Sequence, residues 1–183
     1  MDDRARLKAV LLRHSVLRGD FLLASGKRSS VYVDCRLTTL RAEAMPLIGR
    51  LFLRRMLNRG WQPAAVGGLT MGADPLACAV ARESLGSERR IDAFVVRKSG
   101  KGHGRKRFVE GLAETQGVRC VVLEDVCTTG GSALRAVGRA RDVGMQVLGV
   151  CCMVDREQGG RAAIAAAGLE MEALFTLREL LQG

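Results

Sequence analysis

Glu124 and Asp125 close the apolar run Val121-Val122-Leu123 and lead into Val126-Cys127-Thr128-Thr129-Gly130-Gly131-Ser132, where a helical pattern begins. Two adjacent carboxylates are suited to gripping hydroxyl groups. A Thr/Gly turn that enters a helix offers free backbone N–H groups and the positive end of the helix dipole to a phosphate. Glycine lets the main chain come close to such an anion and adopt positive φ. Few core-building reasons put these residues in this order, and together they suit a phosphorylated sugar. The plainer alternative is a turn capped by Ser132.

Three further loops follow strand-like segments. Gly67-Gly68-Leu69-Thr70-Met71-Gly72-Ala73-Asp74-Pro75 suits a second anion, with Asp74 as helix N-cap and Pro75 at the first helical position; an ordinary strand-to-helix turn is the alternative. Arg97-Lys98-Ser99-Gly100-Lys101-Gly102-His103-Gly104 combines glycines with cations, as a lid over a polyphosphate would, against a solvated loop or a nucleic-acid tail. In Asp155-Arg156-Glu157-Gln158-Gly159-Gly160, Arg156 can hold a carboxylate bidentately, unless the segment is simply a surface turn.

The elements that position these loops alternate. A helix is expected from about Asp3 to Leu17, then an extended pair, Phe21-Leu22-Leu23 and Val31-Tyr32-Val33, and a helix from about Leu40 to Asn58. Strands are expected at Ala64–Gly68, Ile91–Val96, Arg119–Leu123 and Val147–Val154. Helices are expected at Pro75–Leu85, from Ser132 to Gly144 and at Arg161–Ala167, with Leu174–Leu181 partly helical. Strand–helix alternation with continuously apolar strands predicts an α/β fold, a parallel sheet covered on both faces that binds ligands at the carboxyl ends of its strands.

A chain of 183 residues, 48% hydrophobic, fits a single domain spanning 1–183 with a full-sized core. No segment approaches the roughly 18 uninterrupted apolar residues of a membrane span, and the charged Met1-Asp2-Asp3-Arg4 start lacks the apolar core of a secretory signal. Cys35, Cys78, Cys120, Cys127, Cys151 and Cys152 show no C-x-x-C spacing and are expected to be reduced, with Cys127 the one to test for reactivity. Together these features predict a cytoplasmic protein with no membrane association. The net charge of +10 fits nucleic acid or small polyanionic substrates. Only Phe108 accompanies the basic cluster, which argues against base stacking and a nucleic-acid partner.

Taken together, these segments resemble the type I phosphoribosyltransferases and, more narrowly, their orotate-using branch, from Phe21 to Gly160. The wide likeness rests on Val121–Ser132, the narrower one on Arg97-Lys98-x-x-Lys101-x-His103-Gly104, Ser25-Gly26-Lys27-Arg28-Ser29 and Asp155–Gly160. The resemblance implies a Rossmann-like parallel sheet flanked by helices, with a small N-terminal hood from about residues 1–40. It implies Mg²⁺-dependent transfer of the phosphoribosyl group from phosphoribosyl pyrophosphate (PRPP) to orotate. Thr128, Thr129, Gly130, Gly131 and Ser132 would hold the 5′-phosphate, Glu124 and Asp125 the ribose hydroxyls, and Thr70, Met71 and Gly72 the pyrophosphate. Arg97, Lys98, Lys101 and His103 would form the catalytic lid, with Lys101 and His103 reaching the neighbouring site of a homodimer. Orotate would meet Lys27, Tyr32, Val33, Thr128 and Arg156. Magnesium would be held mainly by PRPP and water, with no direct protein ligand. A non-proline cis peptide would fall near Leu69-Thr70.

Met71 and Ala24 stand where some family members have lysine, and Tyr32-Val33 replaces an aromatic pair. These departures shift anion binding towards the lid and leave the base pocket less tightly defined. Two other functions share the same features: a PRPP- or nucleotide-binding regulator on this fold, and a phosphoribosyltransferase for another base.

Overall fold

Uninterrupted runs of Val, Leu and Cys are stable only when both faces of the strand are covered, and such runs form the centre of a six-stranded sheet here. The computed structural model describes residues 2–22, 26, 28–87, 89–100 and 108–182. In it, β3 (Ala65–Leu69), β4 (Asp92–Val96), β5 (Val109–Glu110), β6 (Arg119–Cys127), β7 (Gln146–Asp155) and β8 (Met171–Thr176) lie in the order β5-β4-β3-β6-β7-β8. All neighbours are parallel except the short β5, which runs antiparallel to β4.

Alternate residues of each strand enter different layers. Val121 and Leu123 of β6 pack with Val66, Cys151 and Met153 beneath α1 (Asp3–His14), α3 (Met45–Asn58) and α4 (Asp74–Ser84). Cys120 and Val122 face the opposite layer with Ala133, Ala136, Val137 and Ala140 of α5 (Gly131–Asp142) and Ile164 of α6 (Gly160–Ala166). A separate antiparallel hairpin, β1 (Val16–Leu22) with β2 (Arg28–Val33), carries the base-side segment expected of the hood. The short α2 (Arg36–Thr39) follows it, anchored by a buried contact of 2.7 Å between the Ser15 and Thr38 hydroxyls.

The expected order of elements holds, with informative differences in extent. β6 continues through Glu124 and Asp125 to Cys127, so both acids sit on a strand rather than in a loop. The helix expected from Leu40 begins at Met45, because residues 41–44 form a separate turn after α2. The C-terminal segment expected to be partly helical is so, with α7 at Leu177–Leu181, but a strand the sequence did not reveal, β8, precedes it and reaches Thr176. Its acidic Glu172 obscured the apolar alternation; in the fold this carboxylate pairs with Arg55 and Arg59 of the covering helix end.

Gly67 in β3 has no room for a side chain. A Cβ there would lie 2.0 Å from the Phe94 carbonyl oxygen and 2.6 Å from Phe94 Cγ. Gly67→Ala should therefore destabilise the protein by about 3 kcal/mol, the upper part of the overpacking range. A urea unfolding curve checks this; an unchanged midpoint would mean that β3 and β4 can move apart freely.

Candidate active site

Strand order sets the position of the site. From β3 the chain proceeds to β4 on one side of the sheet, and from β6 to β7 and β8 on the other. Ligands bind at such reversal points, beyond the carboxyl ends of the strands. Here the ends of β3 and β6 open into a cleft of about 220 Å³ that brings Thr70, Met71, Gly72, Lys98, Glu124 and Asp125 together with Tyr32 and Val33 of β2. A second hollow of about 200 Å³ is formed by Glu124 and the segment from Val126 to Ser132. Glu124, Val126 and Ser132 border both.

Gly130, at φ 84°, makes the turn from β6 into α5, and Gly131 is the first helical residue. Ser132 was expected to cap this helix. The left-handed glycine starts the helix one residue earlier, which puts Ser132 inside the first turn, and no side chain caps the end. The first N–H groups of a helix lack intrahelical partners, so this twelve-residue helix presents them to the hollow that Gly130, Gly131 and Ser132 line.

The Asp155–Gly160 loop is fastened to the same turn. The Arg156 N–H donates to the Cys127 carbonyl at 2.9 Å, and the Gly160 N–H to the Thr128 carbonyl at 3.0 Å. A Cβ on Gly160 would meet Cys127 Sγ at 2.4 Å, so the close contact requires glycine. Arg156 borders neither hollow, but its Nε is buried with no hydrogen-bond partner. Cys127 itself is buried, and burial pushes its thiol up to about 11, with Asp155 adding to the effect. A low thiolate fraction makes a poor nucleophile, so burial disfavours Cys127 as a reactive cysteine.

On the other side of the cleft, the cis peptide joins Thr70 to Met71, one bond beyond the expected Leu69-Thr70. Asp74 is the first residue of α4 rather than its N-cap, and its Oδ2 accepts a 2.6 Å hydrogen bond from the Thr70 hydroxyl, tying the loop to the helix. Gly72 packs on the acidic pair: a Cβ there would lie 2.4 Å from Asp125 Oδ1.

Glu124 is 7% exposed, and its Oε2 has no hydrogen-bond partner. Burial, with the neighbouring Asp125 charge, pushes its carboxyl up to about 8, while Lys98 pulls the other way. Asp125 is half-buried and its Oδ1 accepts from the Val126 N–H at 2.9 Å. Lys98 is exposed and lines the cleft. Arg97 does not line it; its guanidinium pairs with Glu110 at 3.5 Å, and its N–H closes the loop base on the Phe108 carbonyl at 2.8 Å. Tyr32 and Val33 border the cleft, whereas Lys27, Lys101 and His103 lie outside the described residues.

Sequence reasoning missed Asp34, Cys35 and Arg36, which continue the cleft wall after Val33. The signal was present as an Asp-x-Arg pair directly after the base-side strand, where charges two residues apart can form one fork.

The Phosphoribosyl transferase domain model matches residues 38–167. An orotate phosphoribosyltransferase from Synechocystis sp. is 45% identical over 179 residues, covering 98% of this chain and 89% of that protein. The crystal structure of Mycobacterium tuberculosis H37Rv orotate phosphoribosyltransferase with Fe(III) dicitrate superimposes with a TM-score of 0.85 at 47% identity, covering 98% of this chain and 99% of that one. The structure of the M. tuberculosis enzyme in complex with PRPP gives 0.82 at 44% identity, with the same coverage.

Proposed function

Because the chain belongs to the phosphoribosyl transferase family, we infer that it transfers the phosphoribosyl group of PRPP to orotate. The products are orotidine 5′-monophosphate and pyrophosphate, and the reaction belongs to pyrimidine synthesis. One observation carries this reading on the chain itself: the acidic pair, the Thr/Gly turn and the Thr70–Gly72 loop meet at one reversal point of a parallel sheet.

In the proposed complex, the first turn of α5 and Thr128–Ser132 hold the 5′-phosphate through N–H groups and the helix dipole. Glu124 and Asp125 accept the ribose hydroxyls. Thr70, Met71, Gly72 and Lys98 surround the pyrophosphate. As the C1′–oxygen bond breaks, negative charge grows on the leaving pyrophosphate and positive charge on the ribose ring. A ring nitrogen of orotate then bonds to C1′ and gives up its proton, which the departing pyrophosphate can take. Cations already fixed beside the leaving group lower the barrier because they need no reorganisation during the step. Lys98 is supported in that role by its place in the cleft wall.

Orotate is proposed to lie by Tyr32, Val33 and Thr128, with Lys27 and Arg156 as its cations; the unpartnered Arg156 Nε supports this. The pairing of Arg97 with Glu110, away from its own cleft, fits a lid whose Lys101 and His103 serve the neighbouring copy in a homodimer. Closure there would exclude water that could capture the ribosyl cation.

Among the described residues no group of three or more His, Cys, Asp or Glu is placed to hold a metal, while Glu124 Oε2 is an unpartnered oxygen at the cleft. These donors fit an ion held mainly by oxygens of PRPP and water, with Glu124 and Asp125 nearest to it. Bound there, magnesium would neutralise charge on the pyrophosphate. No helix among the described residues is long and apolar enough to cross a membrane. The buried thiols fit a reducing compartment, and we place the protein in the cytoplasm.

Arg156→Ala tests the substrate. Loss of a hydrogen bond to a charged group is worth about 1.5–3 kcal/mol, so the orotate Kd should rise roughly ten- to a hundredfold by calorimetry, while the weak competition by uracil, which lacks the carboxylate, stays unchanged. Equal losses for both bases would remove Arg156 from carboxylate recognition.

A further inference from the structure

The cleft has a fixed cation besides Lys98. Arg36 donates from Nε to Asp34 Oδ1 and from Nη2 to Asp34 Oδ2, both at 2.8 Å, and its backbone N–H reaches the same Oδ1 at 3.1 Å. Asp34 is the more enclosed partner, at 19% side-chain exposure against 44% for Arg36. One edge of the guanidinium is thus locked to the turn before α2, whereas Nη1 makes no hydrogen bond among the described residues. Both residues line the cleft, along with Thr70, Met71, Gly72 and Asp125.

A fork that merely stabilised this turn would have no reason to border the cleft. The charges of the cleft point further. Its described side chains include the carboxylates Asp34, Glu124 and Asp125, but only Arg36 and Lys98 as cations. Met71, 61% exposed at the tip of the loop, adds no charge. Among the described residues, the cleft wall would otherwise offer a leaving group with several negative charges one exposed lysine on a loop end. A guanidinium clamped on one edge retains outward donors in a fixed plane, suited to two phosphate oxygens at little entropic loss.

We propose that Arg36, clamped by Asp34, binds the pyrophosphate portion of PRPP directly and stabilises it as it departs. This rests on the reaction inferred above. It also makes the cleft less dependent on its lid, because the cation belongs to the wall itself.

Calorimetry on the full chain separates the halves of the site. Inorganic pyrophosphate with magnesium probes one half, and orotidine 5′-monophosphate, which has the phosphate, ribose and base but no pyrophosphate, probes the other. Arg36→Ala should weaken pyrophosphate and PRPP at least about tenfold, on the scale of one charged hydrogen bond, and leave orotidine 5′-monophosphate within about twofold of wild type. Arg36→Lys, which keeps the charge without the fork, and Asp34→Asn, which loosens it, should give intermediate losses for pyrophosphate alone. Unchanged pyrophosphate binding in Arg36→Ala, or equal weakening of both ligands, would overturn the assignment. The pyrophosphate arm requires no turnover, so a wild type inactive with orotate would count against the reaction and not against Arg36.

Discussion

Lys98→Ala should lower kcat by about 10²-fold or more, the scale of removing one preorganised electrostatic donor, and lower kcat/KM for PRPP by at least as much. Lys98 stands where β4 ends and lines the cleft with Thr70–Gly72. The pyrophosphate gains further negative charge as the C1′–oxygen bond breaks, so the interaction is worth more in the transition state than in the ground state, and a loss in kcat follows. Lys98 is also the cation that opposes the rise in the Glu124 pKa, so its removal should make that carboxyl harder to ionise. Steady-state kinetics check the prediction. A variant with raised KM and unchanged kcat would restrict Lys98 to ground-state binding.

The second large effect concerns Glu124. Burial raises its carboxyl to about 8 in the fold, against 4.5 for an ordinary glutamate. A raised acid contributes stability that is fully present below the unfolded pKa and is lost as pH rises through the folded pKa. The ligand-free protein should therefore lose a few kcal/mol of stability between about pH 4.5 and pH 8, at roughly 1.4 kcal/mol per pKa unit. Glu124→Gln should lack this loss, with a nearly flat stability profile of its own in that window, and exceed wild-type stability at its upper end. Asp3 and Asp34 are held below their usual values by Arg50 and Arg36 respectively, and affect stability only in more acidic solution. The same substitution should raise the KM for PRPP roughly ten- to a hundredfold, the worth of a charge-assisted hydrogen bond. Thermal melts across pH and steady-state kinetics measure the two halves. A Gln variant with a wild-type pH profile would mean that Glu124 is ionised in the empty site.

The site was more legible than its boundaries. Glu124-Asp125 and Thr128–Ser132 could be read because two acids and a glycine turn have little use in a core, and because the strand before them is purely apolar. That the strand runs on to Cys127 was hidden, since charge usually ends a strand and only the cleft explains acids at its tip. Ser132 looked like a cap by type, but Gly130 sets where the helix begins. β8 was missed because its one acid, Glu172, meets Arg55 and Arg59, contacts distant in sequence. Arg36 was missed for a related reason. Its partner Asp34 is only two residues away, but the relevance of the pair depends on β2 lying against loops from the middle of the chain, at Thr70–Gly72 and Glu124–Asp125.

The reaction itself is most directly tested by following the ultraviolet loss of orotate on mixing with PRPP and magnesium, with EDTA and no-PRPP controls. Consumption that requires magnesium and releases pyrophosphate in equal amount is the predicted result. No consumption by a protein that still binds PRPP in calorimetry would contradict it.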